Sequence, residues 1–413
     1  MWTEGPTIRE TATFPVGVNH PPRFQYPSID VKPKYILPTP EYVVEFAPRV
    51  VDPDGDPLSF VWYVNGREVG RGERYSTRLA EGEHKIGLCV SDGKDDVYSE
   101  KVLTVEPGQI YPIKELNVKS KGICYSPGFR GHAYPPLPED QMDEELDIIS
   151  SELGCNAVRI FGDYDDLLIK CGEIALKKPF DCIALAPRYI DNPIDETIER
   201  VSKFAVKAER LRKLSDSIEL WVGNELTIDA LGIRKGATYG ERSTTNDPPN
   251  VKTILNNFLN RLITVSRANF NGKITYAAGF WEPVEWRRLD FDIIGSNEYF
   301  WPNRESIKDK INRLKRFNKP VYITEFGSFT YEGACKWGGA GWFHDTKHPY
   351  DEDEQVNCIE KYLKIFNGKV DGCFLWIYRE VEPKCAGIVT SSLGGVNKRK
   401  KSFYMYKSYV VKR

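Results

Sequence analysis

The sequence predicts a (β/α)8 barrel preceded by a small all-β sandwich, and three observations carry this prediction. Between residues 112 and 413, eight strand candidates alternate with helical segments, which is the count and length typical of such a barrel. Between residues 31 and 107, short strand-like runs are separated by Asn-Gly and Asp-Gly turns, as in antiparallel sandwiches. A length of 413 residues suits two or three domains, and two of very unequal size fit both patterns.

The part of the chain before the barrel divides into two segments. Residues 1–30 are rich in proline and lack periodicity, so we expect them to form an arm or linker. The predicted sandwich of residues 31–107 contains four strand candidates: Glu41–Phe46, Leu58–Val64, His84–Val90 and Lys101–Val105. The acidic stretch that begins at Asp52 lacks the glycine and glutamate of an EF-hand loop, because those positions hold Pro57 and Tyr63. We therefore interpret it as a tight acidic turn.

The predicted barrel domain, residues 112–413, follows a regular alternation. Its eight strands begin near Lys119, Cys155, Phe180, Ile218, Gly272, Phe291, Pro320 and Val370. Helical periodicity fills the gaps over Gln141–Leu153, Tyr164–Lys177, Ile194–Leu214, Val251–Phe270, Arg304–Phe317 and Glu352–Phe366. A doubly wound open sheet is the alternative fold, but that fold usually has a glycine-rich turn after its first strand, and none is present here.

Composition excludes several kinds of partner and cofactor. The formal net charge is −2 and no basic block precedes the last dozen or so residues, so we expect no nucleic-acid binding. No apolar run approaches the roughly 18 residues that span a bilayer, so we expect no membrane span. No CxxC pair or Cys/His cluster indicates zinc, and we expect neither a metal nor another cofactor.

The first residues of the chain bear on its location. The sequence begins Met1-Trp-Thr-Glu-Gly-Pro, without a basic segment followed by an apolar stretch, so no signal peptide is visible. We expect an extracellular or cell-surface location if a signal peptide has been trimmed, and an intracellular location otherwise. Nine cysteines is an odd number, so at least one is unpaired or pairs between chains.

Acidic residues follow two of the predicted barrel strands. Strand four ends in Trp221-Val-Gly-Asn-Glu225, and strand seven ends in Tyr322-Ile-Thr-Glu325-Phe-Gly. Functional groups of such barrels lie at the carboxyl ends of the strands, and an acid there is costly to bury unless it is paired or used. Strands four and seven lie across the barrel mouth from one another, so we expect Glu225 and Glu325 to face one cleft. Two carboxylates in this arrangement are typical of glycosidic bond cleavage.

With these two acids, the chain resembles the retaining glycoside hydrolases of clan A over the whole predicted barrel. Arg159 ends strand two and matches the arginine that supports the nucleophile in this clan. Tyr299 ends strand six and matches a tyrosine that hydrogen-bonds the nucleophile, and Trp376 ends strand eight and matches a tryptophan that forms a sugar platform. The resemblance implies that Glu325 is the nucleophile and Glu225 the general acid/base.

The same resemblance extends to Asn224, which would bind the sugar 2-hydroxyl, and the chain departs from the clan in two places. Many families of the clan carry histidine near the end of strand three or in a His-x-Tyr motif on strand six. This chain has Ala186-Pro-Arg-Tyr and Asn297-Glu-Tyr instead. These departures leave the sugar specificity open and do not affect the acid pair.

The N-terminal part shows a second resemblance. The phrase Val51-Asp-Pro-Asp-Gly-Asp-Pro-Leu-Ser-Phe-Val-Trp, followed by Val90-Ser-Asp-Gly, resembles PKD-type immunoglobulin-like domains. This resemblance covers residues 31–107. It implies a spacer or accessory module of the kind often found beside carbohydrate-active domains.

Tryptophan is concentrated in the late barrel loops. Six of the nine follow strands five to eight: Trp281, Trp286, Trp301, Trp337, Trp342 and Trp376. Flat sugar faces stack on such rings, although large loops also need aromatic cores of their own. We expect Trp376 and one or two of Trp301, Trp337 and Trp342 to line the cleft. The long loop of residues 326–350 has the features of a lid, and its Cys335 is a candidate for a disulfide with Cys385.

The sequence therefore predicts a retaining glycoside hydrolase that cleaves β-glycosidic bonds of an oligo- or polysaccharide, with β-glucan or β-mannan as the first candidates. The same residues would serve a transglycosylase, in which a sugar replaces water as the acceptor. A non-catalytic carbohydrate-binding or cell-surface protein is the alternative from another class. The presence of both acids argues against that alternative, because a binding protein has no need of them.

Overall fold

The computed structural model describes residues 19–36, 41–80, 82–105, 111, 113–130, 134–336, 347–380, 385–391 and 397–410. The chain divides into two compact units, with the division after residue 110. Within the described ranges, no helix is long and apolar enough to cross a membrane.

The first unit is built from two antiparallel sheets. Its strands are β1 (Arg23–Ile36), β2 (Glu41–Val51), β3 (Ser59–Val64), β4 (Arg67–Arg71), β5 (Tyr75–Ala80), β6 (Gly82–Ser91) and β7 (Asp96–Val105). One sheet has the order β1-β2-β5 and the other β4-β3-β6-β7. Both contribute to one buried cluster, in which Phe46 of the first sheet packs against Trp62 of the second. The two sheets therefore face each other across a common core.

The predicted arm of residues 1–30 is wrong for residues 23–30, because these belong to β1. This strand pairs with β2 from Arg23 to Ile36, with an irregular register between Phe24 and Ile29. It lies at the edge of its sheet, where a residue that lacks an N–H group, such as Pro27, is tolerated. The prolines that made the segment look irregular in sequence are thus compatible with an edge strand.

The acidic stretch after β2 is a hydrogen-bonded turn. The backbone N–H groups of Asp54 and Asp56 donate to Oδ1 of Asp52 at 2.9 and 3.0 Å. A side chain that accepts N–H groups two and four residues ahead is typical of an Asx turn. The carboxylate oxygens of the three aspartates lie within 4.8 Å of one another at the surface.

The second unit confirms the predicted eight-stranded barrel. Its strands are β8 (Ser120–Tyr125), β9 (Ala157–Gly162), β10 (Cys182–Pro187), β11 (Ile218–Asn224), β12 (Ile274–Ala278), β13 (Ile294–Asn297), β14 (Val321–Phe326) and β15 (Gly372–Leu375). All neighbouring pairs are parallel, and β15 closes the barrel onto β8. This closure excludes the alternative of an open, doubly wound sheet.

Helices connect the barrel strands. They are α1 (Glu139–Asp147), α2 (Asp165–Ala175), α3 (Ile194–Arg212), α4 (Leu226–Asp229), α5 (Tyr239–Thr244), α6 (Val251–Arg267), α7 (Ile307–Lys315), α8 (Glu352–Phe366) and α9 (Lys401–Val410). A π-helical turn, Ile148–Leu153, continues α1. A small sheet after β15 contains β16 (Arg379–Glu380), β17 (Val389–Ser391) and β18 (Asn397–Arg399). The six helices predicted from periodicity are all present, with ends that differ by a few residues.

The core of the second unit forms two layers that follow from strand alternation. In β11, Leu220 and Val222 belong to the cluster shared with the helices, whereas Trp221 belongs to the cluster inside the barrel. Successive side chains of a strand point to opposite faces, so one strand supplies both layers. Because apolar side chains fill the interior of the barrel, polar groups lie at the carboxyl ends of its strands.

Candidate active site

Glu225 and Glu325 lie together at the carboxyl ends of the barrel strands, in the arrangement expected from the sequence. Glu225 directly follows β11, and Glu325 is the second-last residue of β14. Both are buried, with 8% and 5% of their surfaces exposed, and both line one cleft of about 410 Å³. A cleft of this size lies within the range typical of small-molecule sites.

Two donors hold the carboxylate of Glu325. Nη1 of Arg159 donates to Oε1 at 2.6 Å, and the hydroxyl of Tyr299 donates to Oε2 at 3.1 Å. Arg159 is fully buried in β9, and it also donates to the backbone carbonyl of Thr324 at 3.2 Å. A carboxylate with one donor on each oxygen is fixed in a single orientation, as a nucleophile requires.

The carboxyl group of Glu225 has a different environment. Burial and, next in size, the charge of the neighbouring Glu325 raise the pKa of Glu225 to about 8. The positive charge of Arg188 and a hydrogen bond from Nδ2 of Asn297 to Oε1, at 2.9 Å, act in the opposite direction. The net effect leaves Glu225 protonated at neutral pH, which is the state of a general acid.

Asn224 hydrogen-bonds a donor of each acid, namely Arg159, which binds Glu325, and Asn297, which binds Glu225. Its Oδ1 accepts hydrogen bonds from Arg159 at 2.9 Å and from Asn297 at 3.1 Å. Its Nδ2 is buried and has no hydrogen-bond partner among the described residues. A buried N–H group without a partner costs about 1–3 kcal/mol, and Asn224 directly precedes Glu225 without belonging to the described lining of the cleft.

The backbone of Glu225 adopts a conformation that is rare for its residue type. Its φ of 39° and ψ of 48° lie in the left-handed region. The described part of the chain has five non-glycine residues with positive φ, and the other four are asparagine or aspartate. Those two types tolerate the region because their short polar side chains bond locally, whereas glutamate gains no such benefit.

Aromatic rings form one wall of the cleft. Phe280, Trp281, Trp301, Phe329 and Trp376 line it. Trp376 is buried against Phe161, with ring centroids 4.8 Å apart, and Trp301 is 43% exposed. Trp281 was not among the tryptophans expected to line the cleft, and Trp286 is buried in the core. Trp337 and Trp342 lie outside the described residues.

Polar side chains from the insertion after β11 also line the cleft. The segment of residues 243–247, Ser-Thr-Thr-Asn-Asp, lines the cleft together with Arg234 and Tyr239. Arg242 anchors this segment from a fully buried position. Its guanidinium donates to the carbonyls of Ile228 and Asp229, at 2.8 and 3.0 Å, and to the carboxylate of Asp191.

Each of the two arginines of the cleft is paired with an aspartate. Nε and Nη2 of Arg188 donate to Asp229 at 2.7 and 3.0 Å, and Nε of Arg234 donates to Asp247 at 2.6 Å. Arg188 follows β10, in the tripeptide Pro-Arg-Tyr where many families of the clan have histidine. Sequence reasoning noted that departure but did not select Arg188 or Asp229 as site residues.

The structure corrects the predicted disulfide. Cys335 pairs with Cys358 of α8, not with Cys385. Cys385 is a free buried thiol, with its Sγ 3.5 Å from Nζ of Lys400. Cys358 lies on the buried face of α8, and sequence reasoning did not consider it as a partner of Cys335. The bond ties the start of the loop after β14 to the helix that follows that loop.

Comparisons with known proteins concern the fold. No protein-family model matches the chain, and no curated protein matches it in sequence. Similar solved structures include a Parabacteroides merdae β-glucuronidase (TM-score 0.47, 12% identity, 95% of this chain and 53% of that chain). A Bacteroides uniformis β-glucuronidase (0.47, 14%, 88% and 48%) and a GH113 β-1,4-mannanase (0.48, 15%, 73% and 100%) are also similar.

The chain therefore spans about half the length of the β-glucuronidases that it resembles in fold. These similarities carry no conclusion about the sugar or the chemistry. The roles of the cleft residues rest on the geometry of this chain.

Proposed function

We propose that this chain is a retaining glycoside hydrolase of the clan A type, which cleaves β-glycosidic bonds of a neutral oligo- or polysaccharide. The observation that carries the proposal is the contrast between two buried acids in one cleft. Glu225 has a pKa raised to about 8, whereas Glu325 accepts hydrogen bonds from Arg159 and Tyr299. Carboxyl groups in such different environments divide into a general acid and a nucleophile.

In the first step, the carboxylate of Glu325 attacks the anomeric carbon and the glycosidic bond breaks. Protonated Glu225 gives its proton to the departing oxygen, and a glycosyl ester of Glu325 forms. The ester carries no charge, so the repulsion that helps to raise the pKa of Glu225 is lost. Glu225 is then a carboxylate and can act as a base.

In the second step, Glu225 takes a proton from water while the water oxygen attacks the anomeric carbon. The bond to Glu325 breaks, and the sugar leaves with its original configuration. We assign to Asn224, which directly precedes Glu225 and whose Nδ2 has no hydrogen-bond partner among the described residues, the role of donor to the sugar 2-hydroxyl. Such a bond strengthens in the transition state and adds to the rate.

The charges of the cleft favour a neutral sugar over a uronic acid. Among the described lining residues, Arg188 and Arg234 are the arginines, and each already binds an aspartate. A uronate carboxylate would therefore compete with Asp229 or Asp247 for its cation. A cleft lined by aromatic rings and polar side chains suits a pyranose chain, because rings stack on its C–H faces and polar groups bind its hydroxyls. β-Glucans and β-mannans are the first candidates.

The test is a reducing-end assay of the full chain on a panel of soluble β-glucans, β-mannans and polyuronates. We expect activity on a neutral polymer, loss of activity in Glu225→Gln and Glu325→Gln, and normal activity in Glu219→Gln. Glu219 is the matched control, because it is a buried acid at the other end of β11. NMR of the first product should show the retained anomer, and products longer than the substrate would indicate transglycosylation. Normal activity in both cleft variants would refute the mechanism.

We also propose that the first unit is a PKD-type accessory module. Support comes from its two facing antiparallel sheets, the buried Trp62 at their centre and the Asx turn built on Asp52. Trp62 fills the core, and its indole N–H donates to the carbonyl of Gly72 at 2.8 Å. No catalytic role is assigned to this unit.

A further inference from the structure

We propose that Glu282 and Tyr276 are positioning residues that hold the acid/base Glu225 in its working conformation. This inference rests on the proposed function. Tyr276 belongs to β12, and Glu282 follows that strand in the loop that carries Trp281. Both side chains hydrogen-bond the turn that comes directly after Glu225, and neither belongs to the lining of the cleft. They act on Glu225 through its backbone.

The left-handed backbone of Glu225 needs external support. A non-glycine residue in this region is strained by about 1–3 kcal/mol, and it persists only where the surroundings fix it. The N–H group of Glu225 itself donates to the carbonyl of Ala277 in β12, at 3.0 Å. This bond holds the backbone N–H group of Glu225 itself, and the residues after Glu225 need other partners.

Tyr276 and Glu282 hold the residues after Glu225. The N–H group of Leu226 donates to the hydroxyl oxygen of Tyr276 at 2.7 Å, and the N–H group of Thr227 donates to Oε1 of Glu282 at 2.8 Å. These are the first two N–H groups of α4, which have no partner inside the helix. Side chains from a neighbouring strand and loop thus cap the turn that Glu225 begins.

The direction of each hydrogen bond is fixed. The hydroxyl of Tyr276 has one proton, which it donates to Oε2 of Glu282 at 2.5 Å, so its oxygen is free to accept from Leu226. Oε2 also accepts the N–H group of Gly279 at 2.8 Å. Glu282 therefore accepts hydrogen bonds from the N–H groups of Thr227 and Gly279 and from the hydroxyl of Tyr276. Replacing a carboxyl oxygen of Glu282 by an amide nitrogen, or removing the tyrosine hydroxyl, would break this chain of bonds.

A loosened turn would affect one chemical task in particular. A general acid must lie within hydrogen-bond reach of the leaving oxygen, whereas the nucleophile Glu325 is held by other residues. Misplacing Glu225 should slow the departure of leaving groups that need a proton. The departure of leaving groups that need no proton should keep its rate. A purely structural role for Glu282 would reduce the rates of both kinds of substrate together.

The experiment measures kcat/KM for Tyr276→Phe and Glu282→Gln in the full chain. The substrates are dinitrophenyl and phenyl β-glucosides and β-mannosides. Dinitrophenolate departs without protonation, whereas the departure of phenolate needs a proton from the general acid. We expect at least a roughly 10-fold loss on the phenyl glycoside and less than about a 2-fold loss on the dinitrophenyl glycoside. Glu219→Gln is the control, and Glu225→Gln is measured in parallel. Thermal denaturation shows whether each variant is folded.

Equal losses on both leaving groups, or no loss on either, would overturn the inference. If Glu282→Gln does not fold, Tyr276→Phe decides, because it removes one hydroxyl and keeps the ring. The two proposals fail in different ways. A wild-type chain that is inert on every glycoside, or a fully active Glu225→Gln, refutes the proposed function and this inference with it. An active wild type, an impaired Glu225→Gln and equal losses in the two positioning variants refute the inference alone.

Discussion

Arg188 and Asp229 form a two-bond ion pair in the wall of the cleft, with donor–acceptor distances of 2.7 and 3.0 Å. Both side chains are buried. The positive charge of Arg188 lowers the pKa of Glu225, and the negative charge of Asp229 raises it. The pair therefore connects the structure of the wall with the protonation of the proposed acid/base.

Removing Arg188 should change both stability and pH dependence. In Arg188→Met, Asp229 is left as a buried acid without its cation, so we expect the free energy of unfolding to fall by about 3–5 kcal/mol. The pKa of Glu225 should rise, and the basic limb of kcat/KM against pH should move to higher pH. Urea denaturation and a pH profile measure the two effects. The double variant Arg188→Met/Asp229→Leu should regain most of the stability, and a limb that moves to lower pH would contradict the prediction.

The pKa of Glu225 predicts an activity limit and a stability trend. Because burial and the charge of Glu325 raise this pKa to about 8, kcat/KM should fall as the pH rises through about 8. Between the ordinary carboxyl pKa of 4.5 and the raised pKa of about 8, the folded chain then binds more protons at Glu225 than the unfolded chain does. Wild-type stability should therefore decline across this interval as pH rises, and Glu225→Gln should lack that decline.

The measurement for this trend is the difference in Tm between Glu225→Gln and the wild type. The difference should move in favour of the variant between about pH 5 and about pH 9. Glu219→Gln serves as a control for the loss of a buried acid. A constant difference across the interval would show that Glu225 titrates as an ordinary carboxyl group.

Removing the hydroxyl of Tyr299 should reduce activity even though the packing of its ring is kept. Tyr299→Phe keeps the ring and removes a donor to a charged oxygen, which is worth about 1.5–3 kcal/mol. We expect kcat/KM to fall roughly 10- to 100-fold. Tyr322→Phe is the control, because the hydroxyl of Tyr322 lies inside the barrel and hydrogen-bonds Ser120 at 3.4 Å, away from both acids. Similar losses in both variants would contradict a specific role for the hydrogen bond from Tyr299 to Glu325.

Trp301 should contribute to binding of a long substrate. Its ring is 43% exposed in the cleft and lies 5.6 Å from that of Phe280. In Trp301→Ala, we expect KM for an oligosaccharide to rise about 3- to 10-fold, and the kinetics on an aryl monoglycoside to stay unchanged. Tyr98→Ala is the control, because Tyr98 is 55% exposed and belongs to the first unit. An equal effect on the two substrates would place Trp301 beside the scissile bond.

The bond between Cys335 and Cys358 should stabilise the second unit. It closes a loop over a sequence separation of 23 residues, for which chain entropy gives about 3 kcal/mol. Cys335→Ser should therefore lower the Tm, and a thiol reductant should lower the wild-type Tm toward that of the variant. Cys89→Ser, at a free thiol, is the control. A reductant that leaves the wild-type Tm unchanged would show that the pair is not joined in solution.

Residues on the regular strands were predictable from the sequence. Glu225 and Glu325 lie at the ends of apolar runs, and the barrel brings the carboxyl ends of such runs together. Arg159 was expected to end its strand, but it lies within β9 and is followed by Ile160 and Phe161. Asn297 was missed, although a signal was present. It lies two positions before Tyr299, and strand alternation places residues two apart on the same face.

Partners defined by tertiary contact were not predictable in the same way. Nothing in the segment around Glu282 shows that its carboxyl group accepts an N–H group from Thr227, 55 residues earlier. The pairing of Cys335 with Cys358 depends on tertiary contact between the loop after β14 and α8, and hydrophobic periodicity does not reveal such a contact. Arg188 follows β10 and Asp229 ends α4, and their pairing depends on the closed barrel.

The buried Arg242 connects the lining of the cleft with the acid pair. One side chain, through its bonds to Ile228, Asp229 and Asp191, secures the inserted segment whose residues 243–247 line the cleft. Asp229 also raises the pKa of Glu225, so the same anchor acts next to the acid. A change at Arg242 should therefore alter the shape of the cleft and the protonation of Glu225 together.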